Sequence, residues 1–596
     1  MFRHPLQHFF NHPRYRSLAL SPDGSTLAFV CDADGRFDVF RQELDGGPRR
    51  RLTQLTDQED AGALAFVSGG LAFSTDRAGC ELWQLQLLRD EATAPRSLAT
   101  RSDTQHLIHP RAAHPGGELL AFAAPGAAPG QMDVFLLDTK DFTSRSVAST
   151  GAYLLPGTWS PDGRYLLIAE VSAIDQIALL VLDSSTGVLT RVTPANHDAV
   201  YIPGPWFPDG RSFLVATDDG RKFGALMRMT LAGGRTILHE TVGDIAGLGM
   251  DAAGRRIAIA AEEDGAQRLR VLDLPERRLL DTSAVACGTL CDRWNDELFV
   301  REDGLTLFYL STSQHPKQPM LWRAAGLPPE PLAPAMPAVV TQNELIVPDN
   351  VHFEADDGLR LQGWLYRPRG TGPFPCVLFL HGGPLAAVRP DYAPFTQYLL
   401  SRGIGFFAPN VRGSSGFGRS FARLVHRDWG GADVADARTA GRYMRSLPWV
   451  ESSRCAMMGV SYGGFLALSC LWQEPQIWAA GIDLFGPVDL ERLLRNAPTN
   501  WATALAASVG TDEQLRARSP LHYAEKITAP LLVVQGANDP RVRIEQSEAL
   551  VDKLRQWNTP YEYLLLPNEG HGMAERASSL TVFEAAARHL ERYLFA

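Results

Sequence analysis

No stretch of about eighteen apolar residues occurs anywhere in the chain, so a membrane-crossing helix is not expected. Basic residues are not gathered either. The formal net charge is −10, whereas a nucleic-acid binder needs Lys and Arg clustered against phosphates. The short run Arg49, Arg50, Arg51 reads as a solvated turn between strands. Cysteine is scarce: seven in 596 residues. The closest pair, Cys287 and Cys291, lacks the second pair or His partners that zinc requires. The cysteines therefore read as reduced thiols, and no metal or organic cofactor is implied. The first sixteen residues contain Arg3, His4, Pro5 and His8 but no apolar stretch of secretory-signal length. A cytoplasmic protein is the expectation, with no nucleic-acid or membrane partner.

What is present is globular composition. Hydrophobic residues make up 45% and charged residues 21%, which argues against wholesale disorder and against a coiled coil. A chain of 596 residues exceeds what one core supports, so at least two domains are expected.

The first half repeats. Ser21-Pro22-Asp23-Gly24, His114-Pro115-Gly116-Gly117, Ser160-Pro161-Asp162-Gly163 and Phe207-Pro208-Asp209-Gly210 each precede an apolar, strand-like run. Weaker copies begin at Val67, Asp251 and Trp294, giving a period of about 43 to 47 residues over roughly seven units. In each tetrapeptide Pro sets φ, Asp bonds its local backbone and Gly takes the positive φ that follows, which makes a tight hairpin turn. Four strands per unit, stacked radially, predict an all-β, seven-bladed β-propeller over 1–330, including a short N-terminal extension.

Between Pro328 and Val347 the sequence is rich in Pro and Ala, which is linker composition. The linker is set at 331–350. In 351–596, buried-strand runs such as Cys376–Leu380, Ile404–Ala408, Cys455–Met458 and Leu531–Val534 alternate with helical patterns. That predicts a doubly wound, mostly parallel α/β catalytic domain.

Gly459-Val460-Ser461-Tyr462-Gly463-Gly464 follows a strand and opens a helix, the setting of a G-x-S-x-G nucleophile elbow. A serine hydroxyl needs a His to take its proton and a carboxylate to orient that His. Asp539 and His571 follow in the order Ser, acid, His, each directly after an apolar strand. Strand ends of an open α/β sheet converge on one edge, so Ser461, Asp539 and His571 are the expected triad. His381-Gly382-Gly383-Pro384 supplies a glycine-rich loop, placing the N–H groups of Gly383 and Tyr462 in an expected oxyanion hole. His381 itself reads as structural.

With these motifs in place, the chain resembles the prolyl oligopeptidase family of serine peptidases, and within it the acylaminoacyl-peptidase-like branch. The residues that carry the likeness are His381 to Pro384, Asn410-Val411-Arg412-Gly413-Ser414-Ser415-Gly416-Phe417-Gly418, Gly459 to Gly464, Asp539-Pro540-Arg541 and Gly570-His571-Gly572. The resemblance implies an α/β-hydrolase domain covered by a propeller that restricts substrates to short peptides. It also implies that Arg541 holds a substrate backbone carbonyl, and that copies of the chain self-associate. Phe417 stands where several members place a Tyr hydroxyl, which leaves the oxyanion hole to backbone amides. Arg543 stands where the family often has Pro and reads as a surface residue.

Trp501 and Phe485 follow the elbow and are candidates for an apolar substrate pocket or for the core. Terminal specificity stays open. A carboxypeptidase would need an Arg such as Arg111, Arg164 or Arg255 to face the channel. The adjacent Glu262 and Glu263 read as part of a solvated turn rather than as a site for a substrate amine. The expected activity is therefore a serine peptidase acting on short peptides through an acyl-enzyme on Ser461. The alternatives are a serine carboxypeptidase of the same fold and a small-molecule esterase or amidase; a non-enzymatic scaffold would have a broken triad.

Overall fold

The computed structural model describes residues 4–56, 58–90, 94–97, 104–173, 175–196, 198–291, 298–332, 339–498 and 502–595. Up to residue 331 the described chain forms seven radially repeated antiparallel units, at 15–51, 59–97, 107–148, 153–191, 201–240, 245–279 and 299–331. Six units have four strands. The third pairs its inner stretch only through the bridges Leu107↔Ala123 and Ala113↔Leu120. The seven-bladed propeller expected from the repeats is therefore present.

Apolar clusters lie between neighbouring units rather than within any one of them. Leu167, Leu179 and Val181 of the fourth pack on Phe213 and Val215 of the fifth, and Ala246, Ala258 and Leu269 of the sixth pack on Phe308 and Leu310 of the seventh. Each blade thus buries its faces only because it has neighbours. Trp159 and Trp206, each just before a turn, donate indole N–H bonds to the preceding unit, at Ala112 O (2.9 Å) and Thr158 O (3.0 Å). The ring closes without a shared strand. Leu18, Leu27 and Phe29 of the first unit pack on Phe299, Leu307 and Tyr309 of the last, and the Tyr309 hydroxyl donates to Ser17 O at 3.0 Å.

The first six turns of the repeat lie where expected. The copy at Trp294 to Glu297 lies outside the described residues, and the seventh hairpin turns at Arg301-Glu302-Asp303-Gly304, where Gly304 N donates to Arg301 O at 2.9 Å. The loops at the opposite blade edges face the catalytic domain: Arg36 meets Glu575 at 3.0 Å, and His352 meets Asp264 at 2.8 Å.

The catalytic sheet has eight strands: β1 Asp349–Glu354, β2 Arg360–Tyr366, β3 Phe374–Leu380, β4 Gly405–Asn410, β5 Val450–Val460, β6 Ala480–Leu484, β7 Leu531–Gly536 and β8 Tyr561–Leu566. Their spatial order is β1-β2-β4-β3-β5-β6-β7-β8. The first two strands run antiparallel to their neighbours and the rest are parallel. Alternate strand residues feed opposite cores. Cys376, Leu378, Cys455, Met457, Leu531 and Val533 pack beneath the helices Ala432–Ser446 and Tyr462–Gln473. Val377, Ala456, Met458, Leu532 and Val534 pack beneath Pro394–Ser401 and Arg576–Leu594. Both faces are covered, which is why the strands read as unbroken apolar runs.

The N-terminal residues depart from their expected place as an extension of the propeller. The short helix Leu6–Phe10 buries Leu6, Phe9 and Phe10 in the second of these cores, and Arg576 donates to Phe10 O and His12 O at 2.7 and 2.8 Å. Residues Leu6 to His12 therefore lie on the α/β layer, ahead of the first blade. All seven cysteines are unpaired. Among the described residues no helix is long and apolar enough to cross a membrane.

Candidate active site

Ser461 occupies the single residue between β5 and the helix Tyr462–Gln473, with φ 54° and ψ −123°, a conformation costly for a residue with a Cβ. The neighbouring glycines allow it. A Cβ at Gly459 would lie 2.0 Å from the Gly463 carbonyl oxygen, and one at Gly463 would lie 2.0 Å from that of Leu380. Crowding of strand, turn and helix at this point is the physical content of the G-x-S-x-G pattern. The helix is anchored from below by the Tyr462 hydroxyl, which donates to the buried Asp433. Burial raises the Asp433 carboxyl to about 6, against the lowering effect of that bond.

His571 follows β8 and meets Ser461 Oγ through Nε2 at 2.8 Å, while its Nδ1 meets Asp539 Oδ2 at 2.7 Å. Asp539 follows β7, is 5% exposed, and accepts the backbone N–H groups of Arg541 (2.8 Å) and Val542 (2.9 Å) on Oδ1. One oxygen is thus fixed by backbone, which leaves the other aimed at the imidazole. The histidine loop is braced by Glu569, a residue without a recognised sequence signal. Glu569 is 1% exposed and accepts the N–H groups of Ala574 (2.8 Å) and Glu575 (3.0 Å).

The glycine-rich loop after β3 runs beside the serine, so that a Cβ at Gly382 would lie 3.4 Å from Ser461 Cβ. Among the described residues, the N–H groups of Gly383 and Tyr462 donate to no other group. His381 is buried, with Nδ1 against Gly382 O (2.7 Å) and Nε2 against Ser414 Oγ (2.9 Å). Burial lowers its pKa to about 4, so it stays neutral and structural. Phe417 packs against Phe421 with the rings tilted and their centroids 5.2 Å apart.

The other residues singled out in the sequence fare differently. Arg541 is ion-paired to Glu81 of the propeller, Nε to Oε1 at 2.8 Å. Phe485 is 4% exposed and packs edge-on against the His571 ring at 4.9 Å, so it supports the imidazole instead of opening onto a pocket. Trp501 lies outside the described residues. Arg543 is exposed. Arg111 donates across the ring to Leu298 O, Arg164 pairs with Asp183 at 2.8 Å, and Arg255 lies 4.0 Å from Asp251. Glu262 is a correction: it lies in no solvated turn but is 3% exposed and bound to Arg389 of the catalytic domain. Glu263 pairs with Arg270 at 2.6 Å.

A cleft of about 510 Å3 lies between the histidine loop and the propeller, lined on one side by Glu569 to Ala574 and on the other by residues that include Asp60, Asp76 and Glu81. Sequence gives no sign of this juxtaposition.

Residues 390–595 match the prolyl oligopeptidase family. Over these residues the chain is similar to that family. Dipeptidyl aminopeptidase BIII of Pseudoxanthomonas mexicana is 26% identical over 609 residues, covering 95% of this chain and 85% of that protein. The acylamino-acid-releasing enzyme of Rattus norvegicus is 26% identical over 230 residues, which are 37% of this chain and 31% of that one. Among solved structures, a Mycobacterium tuberculosis puromycin-hydrolyzing peptidase superposes with a TM-score of 0.83 at 20% identity, over 99% of this chain and 96% of its own. The acylaminoacyl peptidase of Pyrococcus horikoshii gives 0.74 at 16% identity, over 99% and 97%. These two likenesses carry the fold, a propeller on an α/β-hydrolase domain. The family match and the peptidase relatives together indicate that the protein is a serine peptidase.

Proposed function

We propose that Ser461 is the nucleophile, His571 the general base and Asp539 the group that orients it. The observation that carries this is His571 itself, with one ring nitrogen 2.8 Å from Ser461 Oγ and the other 2.7 Å from Asp539 Oδ2. As Oγ attacks a scissile carbonyl, its proton passes to Nε2, and the imidazolium that forms is held by the Asp539 carboxylate. The oxyanion is received by the N–H groups of Gly383 and Tyr462, each worth on the order of a hundred- to a thousandfold in rate. His571 then protonates the leaving amine. The acyl-enzyme on Ser461 is hydrolysed by a water from which His571 takes the proton.

In this reading residues up to 331 form a lid domain and 351–596 the catalytic domain, and the substrates are short peptides because the propeller stands over the histidine loop. The reading includes a cytoplasmic location, supported by seven unpaired cysteines, and self-association of copies, supported by family resemblance alone. The test is incubation of the protein and Ser461→Ala with peptides that differ only in their ends, free, N-acetylated or C-amidated, with products read by mass spectrometry. Cleavage by the native protein and none by the alanine variant is expected. Equal cleavage by both would remove Ser461 from the mechanism.

A further inference from the structure

A second cavity, of about 450 Å3, opens where the N-terminal segment, the first and last blades, the linker and the catalytic domain meet. Its walls include His12, Tyr15, Gln42, Lys317, Leu345 and Tyr392, and it shares no lining residue with the cleft beside His571. Its volume is that of a small-molecule site, roughly 300 to 1,000 Å3. Among the described residues, Arg49 and Lys317 line it and no Asp or Glu does. In a chain of net charge −10 this is a local reversal of sign, which attracts an anion.

The two cations border one row of aromatic rings. Arg49 lies beside the Tyr15 hydroxyl, the Tyr15 and Tyr309 centroids are 6.3 Å apart, and Lys317 Nζ stands 4.4 Å from the Tyr309 centroid. Arg49 forms no ion pair among the described residues. Ring faces hold such charges in place without neutralising them. Burial lowers the pKa of His315 and, to about 4, that of His12, so the positive charge at neutral pH rests mainly on Arg49 and Lys317. Gln42 is 7% exposed. Its NH2 donates to Leu332 O at 3.2 Å, whereas its Oε1 has no partner. A buried acceptor left unpaired is costly, and the terminal torsion of Gln is soft, so a donor in the cavity can claim this oxygen.

We propose that this cavity binds a small carboxylate with an aromatic body and an adjacent amide N–H. Arg49 and Lys317 draw the carboxylate, the ring packs against Tyr15 and Tyr392, and the N–H is taken by Gln42 Oε1. The site is separate from the serine chemistry and does not depend on it. Because its walls come from both domains, a ligand there ties their junction together, and binding to the folded state alone raises the thermal midpoint.

The test titrates the protein with hippurate, which has all three features, and with hippuramide, in which an uncharged amide replaces the carboxylate. Isothermal titration calorimetry reads the affinity and a thermal melt reads the midpoint. Hippurate is expected to bind and to raise the midpoint, and hippuramide to bind about tenfold or more weakly. Arg49→Gln and Lys317→Gln, checked for fold by circular dichroism, are each expected to lower hippurate affinity about tenfold, the loss of one charge-assisted bond. Lys317→Arg keeps the charge and is expected to keep the affinity. No binding of hippurate at millimolar concentration, or equal affinity for hippurate and hippuramide, overturns the site. Affinity untouched by both glutamine substitutions overturns it by placing the anion elsewhere. A loss in Lys317→Arg as large as in Lys317→Gln overturns it as well, because packing rather than charge would then set the affinity.

Discussion

Gly570, beside His571, touches Gly79 of the propeller so closely that a Cβ on Gly570 would lie 1.9 Å from the Gly79 carbonyl oxygen. The His571 loop is thus seated directly on the second blade, and Asn538 next to Asp539 donates to Ala78 O at 3.2 Å. Propeller and catalytic domain cannot separate here without freeing the loop that carries His571. Gly570→Ala is expected to displace His571, and a displacement near 1 Å costs on the order of a hundredfold in rate. The check is kcat/KM on a short peptide amide beside the thermal midpoint of the same sample. Unchanged turnover would show that the loop holds its position without this seat.

A second prediction concerns the pair Glu262 and Arg389, which joins the sixth blade to the segment after the oxyanion loop. Their side chains are 4% and 15% exposed, so removing one leaves the other as a buried, uncompensated charge. Glu262→Gln is expected to cost about 3 to 5 kcal/mol, whereas the double variant Glu262→Gln, Arg389→Met recovers most of it. Urea unfolding of the three proteins reads the difference. Equal stability of native and Glu262→Gln would mean that water or another carboxylate takes over the guanidinium.

How far the sequence reaches can be argued from these same residues. The convergence of Ser461, Asp539 and His571 was legible because each follows its own strand, and the glycines around Ser461 record a local crowding. The blades were legible because one turn, built from Pro, Asp and Gly, recurs at an even period. The turn at Arg301 to Gly304 was not read because its Asp303-Gly304 signal stands without a proline. Glu81 with Arg541, Glu262 with Arg389 and Gly79 with Gly570 leave no such mark. Each joins residues distant in sequence and depends on how two domains meet, which no local period encodes. The N-terminal helix did carry a signal, Leu6, Phe9 and Phe10 at helical spacing, but its partner layer lies at the other end of the chain.

The orientation of the triad imidazole supplies a third prediction. Asp539→Asn keeps an oxygen for the N–H groups of Arg541 and Val542 but turns an NH2 toward His571 Nδ1. The imidazole must then carry its proton on Nε2, where it cannot accept one from Ser461. A fall in kcat of about ten-thousandfold with an unchanged fold is expected. Single-turnover kinetics and circular dichroism of the variant check this. A loss below tenfold would assign the orienting role to another group.

The last prediction follows from Asp483, at the end of β6 beneath the nucleophile helix. It is 1% exposed, and its Oδ1 accepts the Gly486 N–H at 3.0 Å. Burial raises its pKa from 3.8 to about 8, against the lowering effect of that bond. Below the unfolded value both states hold the proton, and the group contributes no pH dependence. Between there and about 8 the folded protein keeps a proton that the unfolded chain has released. Stability therefore falls as pH rises through this window, by about 1.4 kcal/mol per pH unit while the difference lasts, and levels off above the folded value. Asp483→Asn has no proton to lose and preserves an acceptor for Gly486. The stability of the variant relative to the native protein is thus expected to rise steadily between pH 5 and about 8. Urea midpoints of both proteins across that range measure the slope. Parallel curves would mean that Asp483 ionises in the folded state at its ordinary pKa, which would require a cation or water beside it.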